Sequence, residues 1–420
     1  MVRVRGGGFC TFARIVSQIR ESLFTFPRRV KDSAIHAHRF LLRAGLSLAN
    51  AFAWIFVFEY FYFLSGSMTR ALAGSAILYA LSQFVTIVAT PISAAHLQRG
   101  TKHSLIWGVT FAASSFTFLG GTLAGYFNDP PAWGIVAFAI LYGAYRALYW
   151  VPYQLTFADI KTHLHMRAYL EVLVALMPLF AGLTLISVQF GRLHILFGAA
   201  ALIMLSIFPA LFLNDTREHF SWSTSYTFSQ LWRRKNHGIV LQSLLEGFQG
   251  AVLFLIWPLA IFLILEWSYL GLGLVFSLTL LFMLLFRRVY VWLINAFNLR
   301  DSSTVHVIIA MSGWVARFAA GTSIGIIIAD VYAHTTMSRH GAHTDPFSFE
   351  QAGDRGAFLD EYTVLKEMGL ATGRMMLCVV IFFLALAFTL PIVLGIALGI
   401  AGIASGLSVM VARRATNSTY

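Results

Sequence analysis

The sequence predicts an all-α integral membrane protein of about twelve transmembrane helices in two six-helix bundles, and three observations carry that reading. Of its 420 residues 58% are hydrophobic and only 11% are charged, with a mean hydropathy of +0.74, values far from those of a soluble chain of this length. Apolar runs of roughly 20 residues, enough to cross a bilayer, recur along the chain with short connections. Between Gly143 and Glu171 the sequence drives an arginine, Arg146, through an apolar helical pattern. A charge near the middle of a bilayer costs at least about 2.5–3.5 kcal/mol, so Arg146 must face a bundle interior or a wet cavity.

In chain order, residues 1–39 form a basic segment with Arg3, Arg5, Arg14, Arg20, Arg28, Arg29, Lys31 and Arg39. It lacks the apolar core of a signal peptide and reads as a retained cytoplasmic segment. Its stretch FARIVSQIRESLF has the pattern of a short amphipathic helix on anionic headgroups, with a solvated tail as the plainer reading. Apolar runs at about 40–64, 71–95, 104–126, 133–157, 168–190 and 193–213 make an N-terminal bundle, 40–213. Arg99 with Lys102 and Lys161 with Arg167 fall on its even-to-odd connections, and the other turns are poor in charge, which puts the N-terminus in the cytoplasm. Residues 214–237 are polar and basic and read as a cytoplasmic connector between halves.

A second series, at about 238–264, 268–294, 303–319, 320–343, 369–390 and 393–412, makes a C-terminal bundle, 238–412, followed by a cytoplasmic tail, 413–420, with Arg413 and Arg414. The pair at 303–343 is compressed and requires a tight external turn near Arg317 to Thr322. The halves look related. Leu97–Lys102 after the second run corresponds to Asn295–Arg300 after the eighth, and Arg167–Glu171 to Val364–Glu367, at nearly one offset. Weak duplication of this kind marks transporter folds with a path between two bundles.

The polar residues inside the runs define the candidate site. Tyr142, Arg146, Tyr149 and Tyr153 recur at helical spacing, with Pro152 expected to break the helix before a basic loop. Asn50 and Trp54, with Ser47, share a face of the first run. Gln242, Glu246 and Gln249 share one in the seventh, and Asn50 and Glu246 are expected at similar depth across the pseudo-two-fold axis. Glu246 is the candidate proton carrier, because burying a carboxylic acid makes its protonation reversible near neutral pH. Asp330, His334 and Ser338 form the stripe of the tenth run, continuing into Arg339, His340 and His343. Asp330 is a second proton-coupling candidate and His334 a cavity residue.

Other charged residues take plainer readings. Glu59, within FEYFYF, reads as a snorkelling or solvated carboxylate in an interfacial aromatic belt. Glu171 and Glu367 read as openers of helices at the cytoplasmic face, where they complement the helix dipole and pair with Arg167 or Lys366 in gating. His36, His38, His163 and His165 read as solvated. Asp330 and His334 lack a third ligand in reach, so no metal is assigned. No nucleotide-binding or nucleophile motif stands in the sequence, and no cofactor is implied. Two cysteines, Cys10 and Cys378, argue for no disulfide framework. The net charge of +12 sits in short segments between apolar runs, which points to membrane topology rather than nucleic acid.

The segments YRALYWVPYQLTFA at 145–158, Lys366–Glu367 followed by Gly373–Arg374, and MPLFAG at 177–182 resemble the major facilitator superfamily, most closely its uncharacterised bacterial members, over about 40–412. The resemblance implies secondary transport. It implies a proton-coupling role for Arg146, whose place resembles that of the superfamily's fourth-helix arginine, and gating roles for Gly100, Lys102, Arg167, Glu171, Glu367 and Arg374. MPLFAG resembles the antiporters' glycine–proline motif and implies export. Where the family carries an aspartate in the loop after the second helix, this chain has Leu97, and Asn295 in the second half. The expected function is alternating-access transport of a small organic solute coupled to protons, by a monomer in the cytoplasmic membrane. A membrane-embedded enzyme acting on lipid through Asp330 and His334 is the alternative, and the matched halves favour transport.

Overall fold

A computed structural model of the protein describes residues 28–127, 133–157, 164–213, 215, 217, 220, 222–296, 303–337 and 359–417. The described residues form α1 (Arg28–Ser65), α2 (Met68–His96), α3 (Thr101–Leu123) and α4 (Trp133–Phe157). α5 runs as Leu164–Ala175 and Met177–Ser187, and α6 as Gly191–Leu205 with a short turn, Ile207–Ala210. A connector helix, Thr224–Gln230, precedes α7, which comprises His237–Ala251, a π-helical turn at Val252–Ile256, and Trp257–Ile264. Then come α8 (Tyr269–Ala296), α9 (Ser303–Ala319), α10 (Ser323–Met337), α11 (Leu359–Ala387) and α12 (Leu390–Asn417).

Ten of these segments are long and apolar enough to cross a membrane, and α9 and α10 are shorter apolar helices. Their outer faces carry large bare side chains such as Phe180, Ile186, Phe208, Val315 and Ile324, the surface expected against lipid rather than water. α7 is the opposite case. Its apolar window is 83% buried against 28% for α5, so α7 runs through the centre of the molecule.

The two halves repeat one packing scheme. α1 packs on α6 as α7 packs on α12, α2 on α4 as α8 on α10, and α3 on α6 as α9 on α12. The halves meet along two matching seams, α2 with α11 and α5 with α8. Small residues set the second seam: a Cβ on Gly273 would lie 2.3 Å from the Pro178 carbonyl, and one on Gly182 2.8 Å from that of Tyr269. Bare backbone faces of this kind let two membrane helices approach closely where lipid supplies no hydrophobic drive.

Several boundaries differ from those read in the sequence. α1 starts at Arg28 rather than near residue 40, because the stretch after it packs inward. His38 is fully buried, donating from Nδ1 to the Ser206 carbonyl at 2.8 Å while its Nε2 meets the Tyr149 hydroxyl at 3.1 Å. The solvated reading of His38 is therefore corrected. Pro152 does not break α4, which continues to Phe157; a proline near a helix end forfeits one hydrogen bond without stopping the chain. In α7 the π turn immediately precedes Trp257-Pro258. Pro258 cannot donate to the carbonyl four residues back, and a widened turn accommodates that loss. The segment 12–24, Lys161, His163, Ser338, Arg339, His340, His343 and Arg300 lie outside the described residues, as do the side chains of His165, Arg167, Arg413 and Arg414.

Candidate functional site

Call the end at which α1 begins the near end and the other the far end. Between the halves, about midway, lies a cavity of about 20 Å³ lined by Asn50 and Ala51 of α1, Leu253, Phe254, Trp257 and Pro258 of α7, Phe276, Thr279 and Leu280 of α8, and Asp330 and His334 of α10. That volume holds about one water. Two polar centres flank it, one in each half.

The C-terminal centre is built on α9 and α10. Arg317 Nε donates to Asp330 Oδ1 at 2.7 Å, with both side chains buried. Trp257 Nε1 donates to the same carboxylate at 2.9 and 3.0 Å, and Arg317 Nη2 lies 3.3 Å from His334 Nε2. A guanidinium can only donate, so His334 accepts at Nε2 and carries its proton on Nδ1. The Trp314 ring lies 4.8 Å from the guanidinium carbon and covers it. Arg317 is the residue sequence reasoning missed. It was placed in the external turn, yet it is 1% exposed, and only the turn after it, at 320–322, is external. The signal that could have found it is the one that found Arg146: a charge inside an apolar run.

The N-terminal centre is built on α4. Arg146 is buried, bonds Tyr142 and lies 5.8 Å from the centre of the Phe254 ring, whose side chain also lines the cavity. Tyr142 donates to Asn50 Oδ1 at 3.1 Å, which ties α4 to the cavity wall. Trp54 stands beside them, edge-on to Tyr79 at 4.8 Å. Arg374 of α11 reaches this centre from the other half, within electrostatic range of Arg146. Gly250 makes room for it: a Cβ there would lie 2.9 Å from Arg374 Nε. Glu246, one turn earlier on α7, is buried and accepts from Gln242 Nε2 at 2.9 Å.

Among the described residues, contacts between the halves flank the cavity toward both ends, by different chemistry. At the far end Glu59 of α1 is buried, pairs with Arg192 of α6 at 3.1 Å and accepts a hydrogen bond from Tyr269 of α8. Arg192 Nη2 also donates to Tyr269 Oη at 2.7 Å. Tyr269 belongs to the C-terminal half and its two partners to the N-terminal half, so the contact ties the halves together. The snorkelling reading of Glu59 is thus overturned: its helix face turns toward the seam, and only an ion pair makes a buried carboxylate tolerable there. At the near end the closure is apolar, with Ile87, Ala94, Leu97 and Val151 against Val364, Met368 and Ala371, capped by Phe220 of the connector.

Among the described residues, matched packing within the halves, two seams and a cavity between them define the architecture. No protein-family model and no curated protein sequence matches the chain. A bacterial homologue of the iron transporter ferroportin in its inward-facing state superposes with a TM-score of 0.61 at 14% identity, over 93% of this chain and 99% of that one. The peptide transporter POT gives 0.60 at 14% identity, covering 93% and 95%. The xylose transporter XylE from E. coli, partially occluded and inward open, gives 0.57 at 12% identity, covering 91% and 96%. The chain has the major facilitator fold.

Within the major facilitator fold the sequence-predicted residues separate into groups. Asn50 and His334 line the cavity, with Trp54, Tyr142 and Arg146 next to it. Tyr149 and Tyr153 stack on each other at 5.3 Å, and Tyr149 packs against Gly108 of α3 and His38, so Tyr149 serves the interior of its own half. Gln249 turns away from Glu246 toward Ser408 of α12, at 3.4 Å. Asp330, the second proton-coupling candidate, is held by Arg317.

The expected gating residues are also redistributed. Glu171 lies 4.0 Å from Arg43 of α1, a partner from outside its own loop. Glu367 does not open a helix, since α11 begins at Leu359; it is half-buried in the third turn. Gly100 adopts φ +115°, and Lys102 N donates to Asp215 Oδ1 at 3.2 Å. Lys102 Nζ donates to the Leu211 carbonyl. The carboxylate absent at Leu97 is supplied from just after α6, where Asp215 complements the positive end of the α3 dipole.

Proposed function

We propose that this chain is a secondary transporter that moves a small organic solute by alternating access, coupled to protons. The observation that carries the reading is a small cavity between two matched halves, flanked toward the far end by the Glu59–Arg192–Tyr269 contact and toward the near end by the apolar cluster around Leu97 and Met368. Contacts of different chemistry on either side of a compartment are what alternating access requires: each must break in turn while the other holds. The solved transporters of the same fold raise the prior without naming a solute.

Glu246 is the proposed proton carrier. It is buried in the central helix, one turn before Gly250, where Arg374 is seated, and two turns before Leu253 of the cavity wall. The proposed orientation puts both termini and the connector in the cytoplasm, following the basic segments, with the protein acting as a monomer in the cytoplasmic membrane. MPLFAG adds the direction, export. It falls on the α5–α8 seam, with the Pro178 carbonyl against Gly273. The enzyme reading loses its motive, because Asp330 and His334 are both engaged by Arg317.

In proteoliposomes with an imposed pH gradient, Glu246→Gln is expected to abolish gradient-driven accumulation of a transported solute while exchange across the membrane continues. Equal loss of both activities makes Glu246 structural or substrate-binding and overturns the coupling assignment.

A further inference from the structure

Two buried arginines come together from opposite halves, Arg146 from α4 and Arg374 from α11, each 3% exposed. They lie along one face of α7. Glu246, Gly250 and Phe254 recur there at i, i+4 and i+8, with Arg374 seated at Gly250 and Arg146 beside Phe254. Both guanidiniums are within electrostatic reach of Tyr79 and Tyr142. The Tyr142 hydroxyl is committed to Asn50. The Tyr79 hydroxyl, on a side chain with no exposed surface, has no hydrogen-bond partner, and neither has the Trp54 indole nitrogen beside it. A buried donor left without an acceptor is costly, and two of them next to two arginines point to an acceptor that arrives with a ligand.

We propose that the solute is an organic anion whose carboxylate or phosphate binds between Arg146 and Arg374 and accepts a further hydrogen bond from Tyr79. The assignment rests on the transport reading for the word solute, but the binding site stands on its own geometry. An anion in this position joins one guanidinium from each half. Binding therefore turns a repulsion across the seam into a bridge, and favours the closed arrangement of the two halves.

The test is thermal stability of the purified full-length protein with matched probes: benzoate against benzamide, succinate against succinamide, glycerol 3-phosphate against glycerol, and inorganic phosphate alone. At least one anion is expected to raise Tm by about 2 °C or more near saturation while its uncharged partner does not. Arg146→Gln and Arg374→Gln should each weaken that response at least about tenfold. Tyr79→Phe separates binding from folding. It removes a hydroxyl that bonds nothing in the unliganded protein, so Tm without ligand is expected to hold or rise while the anion response weakens.

A response equal for charged and uncharged partners, no response to any anion in the set, or an anion response intact in both Gln variants overturns the proposal. So does a Tyr79→Phe protein that loses stability and keeps its anion response. Failure of the transport reading looks different: an anion that binds through these residues but is not moved in proteoliposomes leaves this site standing, whereas transport of only neutral or cationic solutes leaves transport standing and removes the anion site.

Discussion

Arg317 and Asp330 face each other from adjacent helices, Nε to Oδ1 at 2.7 Å, with almost no surface exposed on either side chain. α9 and α10 are the two shorter apolar helices, and this pair, roofed by Trp314 and closed off by Trp257, holds them together.

Removing one member is expected to cost far more than removing both. Arg317→Gln and Asp330→Asn should each destabilise the folded protein by about 3–5 kcal/mol, because each leaves its partner buried and uncompensated. The double variant Arg317→Met with Asp330→Leu should recover most of that loss. Detergent-solubilised Tm and folded yield of the four proteins test this; single variants that fold like the parent would show that water already reaches the pair.

The far-end contact predicts a conformational bias. Tyr269→Phe removes the hydroxyl that bonds Glu59 and Arg192 across the halves but keeps the ring packed against Phe56 at 6.1 Å and Phe262 at 5.1 Å. A Phe56→Cys reporter, buried in this closed state, is expected to react several times faster with a membrane-impermeant maleimide when combined with Tyr269→Phe. Unchanged labelling would mean that the seam between Gly182 and Gly273 alone holds the far end shut.

Arg146 provides a third prediction. Lysine keeps the charge but loses the planar fork that bonds Tyr142 and lies beside Phe254. Arg146→Lys is expected to fold and to retain only a small fraction of transport, and Arg146→Ala to abolish it. Parent-like transport by the lysine variant at every substrate concentration and pH would reduce the arginine to a positive charge tolerated in a wet cavity.

Much of this architecture was legible in the order of residues alone. Apolar runs long enough to cross a bilayer, basic connections and a duplicated layout define a twelve-helix membrane protein without reference to contacts, because the bilayer imposes length and composition on each segment separately. The same rule singled out Arg146, Glu246 and Asp330: a charge inside an apolar run is expensive, so each one announces an interior position.

The identity of the partners was not legible, because partners are set by how helices rotate and cross. Asp330 meets Arg317 rather than Arg146 because α9 packs on α10 within one half. Glu59 is buried because its helix face turns toward the seam where Tyr269 arrives from 210 positions away in the chain. Tyr149 and Gln249 share a helical stripe with cavity residues, yet they serve their own half; a helix inside a bundle has neighbours on every side, and spacing along it cannot say which neighbour a given face will meet. The meeting of Arg146 with Arg374 was decided the same way, by the crossing of α7 and α11 at Gly247 and Gly373, where a Cβ on either would lie 2.3 Å or 2.1 Å from the facing carbonyl. The sequence could place each charge in the membrane interior, but only the packing of twelve helices determined which charges stand together.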